Sequence, residues 1–335
     1  MAIKIGINGF GRIGRLMLRA GLQRTDFKFV AVNDVVDAKT LAHLLKYDST
    51  FGVLENKVEA REDRIIIDGC EIKVFVKKNP GEISWKDLGV DVVLESTGIY
   101  TKNKEALEAH LKAGAKKVIV SAPAEAAEGT FVMGVNHKKY DGKRHNIVSC
   151  GSCTTNCLAP VAKVINDKLG IKHGVMTTIH AYTMDQKLQD APHKDLRRAR
   201  AAAVSMIPTS TGAAKAIGLV IPELDKLMSG IAIRVPTLDV SVVDLVVDVK
   251  KGTSKDELNN AFREAARGEL KGILEASEEE LVSIDFKGNP HSSIVDLPYT
   301  TVAGANKDTI KVLAWYDNEW GFSLRMLDLA KYMLA

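Results

Sequence analysis

The sequence predicts an α/β protein. A doubly wound, mostly parallel sheet fills its first half, and an α+β half with a mostly antiparallel sheet follows. Three observations predict it: β-α-β alternation over roughly the first 150 residues, longer β-branched strand candidates after them, and a glycine-rich turn between the first strand and the first helix. Ile3–Asn8 alternates apolar positions and then meets glycines. Arg12–Leu22 has helical composition, Phe27–Asn33 reads as a strand, and Lys39–Leu45 as a short helix. Arg64–Ile67, Glu71–Val76, Val90–Glu95 and Lys117–Ser121 are further buried-strand candidates, with a helix over Lys104–Ala113. In the second half the strand candidates are Gly174–Ile179, Val240–Lys250, Leu281–Asp285 and Thr309–Trp315. Ser254–Ala266 reads as a helix opened by a capping box of Ser254 and Glu257. A final amphipathic helix begins near Gly321 and puts Leu324, Leu327, Ala330 and Leu334 on one face. The domain boundary falls close to the cysteine cluster at 150–157, and boundaries are where active sites tend to sit.

The 335 residues suffice for two domains with real cores, and 46% hydrophobic with 26% charged residues is ordinary for a globular protein. The net charge of +4 permits acidic small-molecule substrates without requiring nucleic acid. No apolar run approaches the ~18–20 residues that cross a bilayer, so no membrane partner is expected. The N-terminus lacks a charged stretch followed by an apolar one, and four cysteines are too few for a disulfide scaffold. A reducing cytoplasm is the expected location.

Gly9-Phe10-Gly11-Arg12-Ile13-Gly14 is G-x-G-x-x-G, placed where a strand ends and a helix opens. Glycines there let the backbone approach a pyrophosphate at a helix N-terminus. Asp34 lies twenty residues past Gly14, at the end of the second strand candidate, where a carboxylate binds an adenosine ribose 2′-hydroxyl and repels a 2′-phosphate. Together these residues predict a Rossmann-type dinucleotide-binding domain that prefers NAD to NADP.

Three of the four cysteines fall within S-C-G-S-C-T-T-N-C at 149–157. Cys150 and Cys153 form half a zinc site, but no histidine follows at short spacing, and no metal is expected. A redox pair belongs near the start of a βαβ unit, not after a complete one. A nucleophile fits best. Leu158, Val161, Ala162, Ile165 and Leu169 repeat at helical spacing, Ser152 is an N-cap, and Cys153 falls in the first turn, with Pro160 expected to kink the helix. Making most of a thiol anionic at neutral pH takes a shift worth roughly 2.7 kcal/mol. A helix end gives about 0.3–1 kcal/mol, so a neighbouring base must supply the remainder. Cys157 reads as a buried small hydrophobe and Cys150 as a packed strand-end thiol, while Cys70 shows no partner.

His180 ends a strand-like run, exposed to whatever cleft lies above the sheet. Further on come P-T-S-T-G at 208–212 and I-A-I-R-V-P at 231–236, with the basic stretch H-K-D-L-R-R-A-R at 193–200 before them. Hydroxyls, backbone N–H groups beside a glycine, and arginines suit phosphate groups. The basic stretch carries no RNA-module signature, so nucleic acid is not expected as a primary partner.

With these residues assembled, the chain resembles phosphorylating glyceraldehyde-3-phosphate dehydrogenases of the bacterial type along essentially its whole length. The motifs are G-I-N-G-F-G-R-I-G-R, S-C-T-T-N-C-L-A-P, H-A-Y-T-x-D-Q, P-H-K-D-L-R-R-A-R-A-A-A, P-T-S-T-G-A-A-K-A, R-V-P-T and W-Y-D-N-E-W-G. The resemblance implies that Cys153 attacks the aldehyde of glyceraldehyde 3-phosphate, that His180 acts as base, and that inorganic phosphate cleaves the resulting thioester. It places Ser152, Thr154, Thr211, Gly212 and Arg234 at the attacking phosphate, and Thr183, Asp185 and Arg198 with Arg234 at the substrate phosphate. Arg12, Ile13, Asp34, Lys78 and Ser121 would line NAD, and Asn318 would orient its carboxamide. It further implies a homotetramer, a dinucleotide domain over 1–151 to which the helix at 320–335 returns, and a catalytic domain over 152–319. Ala191, where many NAD-using members carry leucine, is met in members that also accept NADP, whereas Asp34 favours NAD. Phe322 replaces a usual tyrosine, and Lys78 stands where arginine is common. Two other functions fit some of these residues: an erythrose-4-phosphate dehydrogenase that hydrolyses its thioester, and a thiol redox sensor or nucleic-acid binder.

Overall fold

The computed structural model describes residues 2–335, which form two compact units. The first holds the residues up to 131, then 138–151 and 323–335; the second holds 132–137 and 152–322.

In the first unit, nine strands form one sheet. Ile3–Asn8 lies between Phe27–Asn33 and Val92–Glu95 and pairs parallel with both. Parallel strands are buried on both faces, and all four residues of Val92–Glu95 are buried accordingly. From Ile3–Asn8 the chain runs first to one side of the sheet, through Phe27–Asn33 to Cys70–Phe75. It then crosses to the other, through Val92–Glu95, Lys117–Val120, Ile147–Ser149 and Gly129–Thr130. The order therefore switches beside the strand that feeds the glycine turn, where ligands bind in doubly wound sheets. Only Val58–Arg61 and Arg64–Ile67 join antiparallel, at the far edge. The last helix, Trp320–Leu334, belongs mostly to this unit, where Asp328 and Lys331 pair with Arg24 and Asp26.

The second unit is built on an eight-stranded mixed sheet, mostly antiparallel. Ile171–Ala181 pairs antiparallel with Ser241–Val249 on one side and parallel with Met228–Val235 on the other. Gly174, Met176, Thr178 and His180 are buried on one face of Ile171–Ala181 at the strand period of two. The helix Cys153–Leu169 packs its Cys157, Leu158, Val161 and Ile165 into the core formed with Met176, Val243, Leu245, Val312 and Ala314. It runs unbroken through Pro160. Ser254 and Glu257 make both bonds of the expected capping box on the helix Lys255–Arg267.

One expected strand is absent. Over Leu281–Asp285 the chain instead makes a 3₁₀ turn at Ser283–Phe286. The alternation there did not mark a buried face, since Val282 and Ile284 are exposed. The Asp285 carboxylate accepts the Val282 N–H, closing the turn, and only Phe286 is buried, stacked on Trp315.

Candidate active site

The glycine turn is shaped by close backbone approaches. At Gly9, with φ of +89°, a Cβ would lie 2.5 Å from the Thr97 amide nitrogen, and at Gly14 2.3 Å from the Gly9 carbonyl oxygen. At Gly11, the N-cap of the helix Arg12–Gly21, a Cβ would meet no atom within 4 Å. That open volume before a helix N-terminus is what a pyrophosphate needs. Asp34 accepts the Phe10 N–H at 2.7 Å and its neighbour Val35 N–H at 2.7 Å, so the carboxylate is tied to the turn itself. Arg12 pairs with Asp48 at 2.6 Å. Ser121 donates its N–H to Glu95, and the carbonyl of exposed Lys78 accepts the Tyr100 hydroxyl. These residues fit a dinucleotide.

In the second unit, the Ser152 hydroxyl caps the helix by accepting the Thr155 N–H at 3.0 Å, which puts Cys153 at the first helical position. His180 and Arg234 are direct partners in the parallel register of their two strands. The Cys153 sulfur lies 3.5 Å from His180 Nε2. On the other side of the ring, His180 Nδ1 approaches the Ala181 carbonyl oxygen at 2.6 Å and Arg234 Nη1 at 2.7 Å. Tyr316 stands edge-on to the imidazole, and its hydroxyl bridges Thr154 and Thr178 at 2.9 and 2.8 Å. Thr154 is thereby turned into the interior. Cys157 is fully buried one turn further on, and burial pushes its thiol far above its ordinary range.

Burial works against a standing thiolate on Cys153. Burial raises the Cys153 pKa, and the Arg234 guanidinium opposes the rise only in part. Burial, and then Arg234, also hold the His180 imidazole down at about 3. A helix end worth about 1 kcal/mol does not overcome that desolvation. Both shifts favour a thiol facing a neutral imidazole, an arrangement in which the proton moves as the sulfur attacks.

Comparison with known proteins agrees with this arrangement. Residues 3–103 match "Glyceraldehyde 3-phosphate dehydrogenase, NAD binding domain", and residues 152–318 match "Glyceraldehyde 3-phosphate dehydrogenase, C-terminal domain". The chain is 58% identical over 332 residues to glyceraldehyde-3-phosphate dehydrogenase 1 of Bacillus cereus, covering 99% of this chain and 98% of the relative. It is 55% identical over 335 residues to the glyceraldehyde-3-phosphate dehydrogenases of Priestia megaterium and Geobacillus stearothermophilus, covering 100% of this chain and 99% of each relative. The chain belongs to the glyceraldehyde-3-phosphate dehydrogenase family.

The remaining family positions divide into three groups. Thr183, Asp185 and Arg198 are linked: the Thr183 hydroxyl donates to Asp185, and Arg198 pairs with Asp185 at 2.5 Å while donating to Thr209 at 2.9 Å. Thr211 accepts the Ala213 N–H, and Gly212 opens the helix Ala213–Val220. Asn318 is buried, and Ser241 donates to its side-chain oxygen at 2.7 Å while accepting the Ala181 N–H at 3.1 Å. Sequence reasoning missed Ser241, Thr178 and Tyr316. Tyr316 lay inside a quoted motif, but nothing local to Ser241 or Thr178 marks them, because their partners come from other strands. Among the described residues no group of three or more His, Cys, Asp or Glu side chains is arranged to hold a metal, and no helix is long and apolar enough to cross a membrane.

Proposed function

We propose that this chain oxidises glyceraldehyde 3-phosphate with NAD and releases the product as an acyl phosphate by using inorganic phosphate. The dehydrogenase activity and the use of NAD follow from full-length identity of 53–58% to enzymes of that name. One observation supports the residue roles: a half-buried sulfur 3.5 Å from a neutral imidazole nitrogen, with an arginine beside the ring.

In this reading Cys153 attacks the aldehyde carbon while His180 Nε2 takes the thiol proton and passes it to the carbonyl oxygen, giving a thiohemiacetal and a neutral ring again. With its hydrogen on Nδ1, toward the Ala181 carbonyl, the ring would hold the Nε2 lone pair toward the sulfur. His180 then receives the hydroxyl proton of the adduct. NAD, when bound, supplies the acceptor for the two electrons leaving the substrate carbon. Gly9, Gly11, Gly14, Arg12, Ile13 and Asp34 would hold its phosphates and adenosine ribose, with Lys78 and Ser121 nearby and Asn318 held by Ser241 for the carboxamide. Arg198 and Arg234, with Thr183 and Asp185, would grip the substrate phosphate. Ser152, Thr211 and Gly212, with Arg234 and the backbone N–H of Thr154, would receive the inorganic phosphate that displaces the sulfur. Met184, Leu188, Leu196, Val204 and Met206 are exposed apolar side chains along the 183–206 segment, which supports a homotetramer, and we take the cytoplasm as its location.

NADH formation from glyceraldehyde 3-phosphate, with and without phosphate, tests this for wild type and Cys153→Ser. Turnover should depend on phosphate and vanish in the variant. Equal rates for the two proteins would end the nucleophile assignment, and phosphate-independent turnover would favour a hydrolytic enzyme.

A further inference from the structure

Between Ala181 and Ile207 the chain forms loops and a single 3₁₀ turn, so neither a ladder nor an α-helix fixes Arg198 directly. Arginine on a loop samples many rotamers, and ordering one costs up to about 2 kcal/mol. Arg198 is nonetheless held at all three nitrogens. Its Nε donates to the Thr209 hydroxyl at 2.9 Å, Nη1 pairs with Asp185, and Nη2 donates to the Ser210 carbonyl at 3.3 Å. A guanidinium has five N–H groups, so one on each terminal nitrogen is left without a partner among the described residues. Two such donors suit a phosphate.

The Thr209 hydroxyl has one hydrogen and gives it to Asp195 Oδ2 at 2.7 Å, which leaves a lone pair for Arg198. The directions are settled, because a carboxylate only accepts and Nε–H only donates. That hydroxyl is also the main cause holding the Asp195 carboxyl below its usual range. The other Asp195 oxygen accepts the Arg197 N–H at 2.9 Å. Thr209, unlike Arg198, is fixed by the sheet. It is buried, and where Ile207–Ser210 pairs antiparallel with Met228–Val235 it faces Ala232, two residues from Arg234. One ladder thus fixes Arg234 through its own backbone and Arg198 through a hydroxyl. The two cations feel each other: burial, and then Arg198, lower the Arg234 pKa. Like charges move apart unless they are anchored.

We propose that Thr209 and Asp195 are positioning residues for the substrate's phosphate, acting through Arg198: their bridge sets its guanidinium at a fixed place beside Arg234. Without the hydroxyl, Asp195 Oδ2 and Arg198 Nε, now 3.7 Å apart, would close on each other and turn the two unpaired N–H groups aside. This rests on the reading of Arg198 and Arg234 as the residues that grip that phosphate. Preference for a phosphorylated aldehyde then depends on the bridge as well as on the arginines.

The test compares glyceraldehyde 3-phosphate with glyceraldehyde, which has the same reacting carbon and no phosphate, at saturating NAD and inorganic phosphate. The readout is the ratio of the two kcat/KM values. Thr209→Val keeps the side chain's shape and strand preference and removes the bridge. It should raise KM for the phosphorylated substrate by about 10–100-fold, the worth of a hydrogen bond to a charged group, and leave kcat and the reaction of glyceraldehyde unchanged. Thr209→Ser restores the hydroxyl and should restore the ratio. Asp195→Ala, at a partly exposed side chain, should lower the ratio by a smaller factor, and it decides alone should Thr209→Val not fold. An unchanged ratio, equal losses on both substrates, or a Thr209→Ser that behaves like Thr209→Val overturns the proposal. A wild type with no preference for the phosphorylated substrate would instead remove the reading of Arg198 and Arg234, and the proposal with it.

Discussion

Glu95 in the first unit and Asp239 in the second are both buried carboxylates, and the two units treat them in opposite ways. Glu95 accepts four hydrogen bonds: from Asn8 Nδ2 at 2.5 Å, His110 Nε2 at 3.1 Å, the Thr97 amide at 2.9 Å and the Thr97 hydroxyl at 2.5 Å. The Trp85 indole donates to His110 Nδ1, which assigns the ring hydrogen to the nitrogen facing Glu95. Asn8 in turn accepts from Asn33, so one carboxylate ties together the ends of three parallel strands around the glycine turn. Neither oxygen of Asp239 makes a hydrogen bond of good geometry among the described residues, although the Val240 N–H and the Asp317 carboxyl lie close enough to act on it. Burial, and then the nearby charge of Asp317, push its carboxyl up to about 9. The next residue, Val240, has φ of +66°, rare for a β-branched side chain. After it comes Ser241, which holds both Asn318 and the Ala181 amide. Binding in the first unit thus rests on a satisfied network that fixes backbone. The chemistry of the second sits among groups left unsatisfied and strained, as functional sites often are.

Replacing His180 by Asn should sharpen this division most. It should lower kcat by about 10²–10⁴-fold while leaving NAD affinity unchanged, as read by initial rates and calorimetric titration. Loss of NAD binding as well would break the separation of roles. Glu95→Gln comes next: an amide must point a donor at one of four donors, which should cost about 1–3 kcal/mol in urea unfolding. Because Asn8 and Thr97 flank the glycine turn, KM for NAD should rise more than kcat falls. Asp34→Asn should weaken NAD binding about tenfold and narrow the preference over NADP, measured as the ratio of the two kcat/KM values.

At Asp239 the expected effect falls on stability alone, and its sign is opposite. Its folded carboxyl keeps a proton up to about pH 9, whereas in the unfolded chain it loses that proton near 3.8. The unfolded state therefore binds fewer protons between those values. The stability this group contributes at low pH is lost as pH rises towards 9. Asp239→Asn should gain on wild type as the pH is raised through that window, seen in melting temperatures from pH 5 to 9. A variant that loses stability at pH 8 would show that the carboxylate is satisfied after all.

Much of this was legible locally. The glycine spacing, Asp34, the Ser152 cap and the helical repeat behind Cys153 are all short-range patterns, and the structure carries each of them. The strand expected at Leu281–Asp285 failed because alternation alone does not say which face is buried, and an aspartate four residues past Leu281 captured the backbone. The forces that act against a Cys153 thiolate were hidden for a related reason. A helix N-terminus is visible in sequence, but the depth at which its first turn is buried is not.

Taken alone, the order of residues determined the parallel-then-mixed architecture, the dinucleotide turn and the place of Cys153 in the first turn of a capped helix, because each depends on neighbours within a turn or two. Only the folded chain decided that His180 and Arg234 share a register position, that Tyr316 stands edge-on to the imidazole, and that burial favours the neutral forms of Cys153 and His180. Protonation depends on burial and on charges brought in from distant segments, and those exist only once the strands have paired.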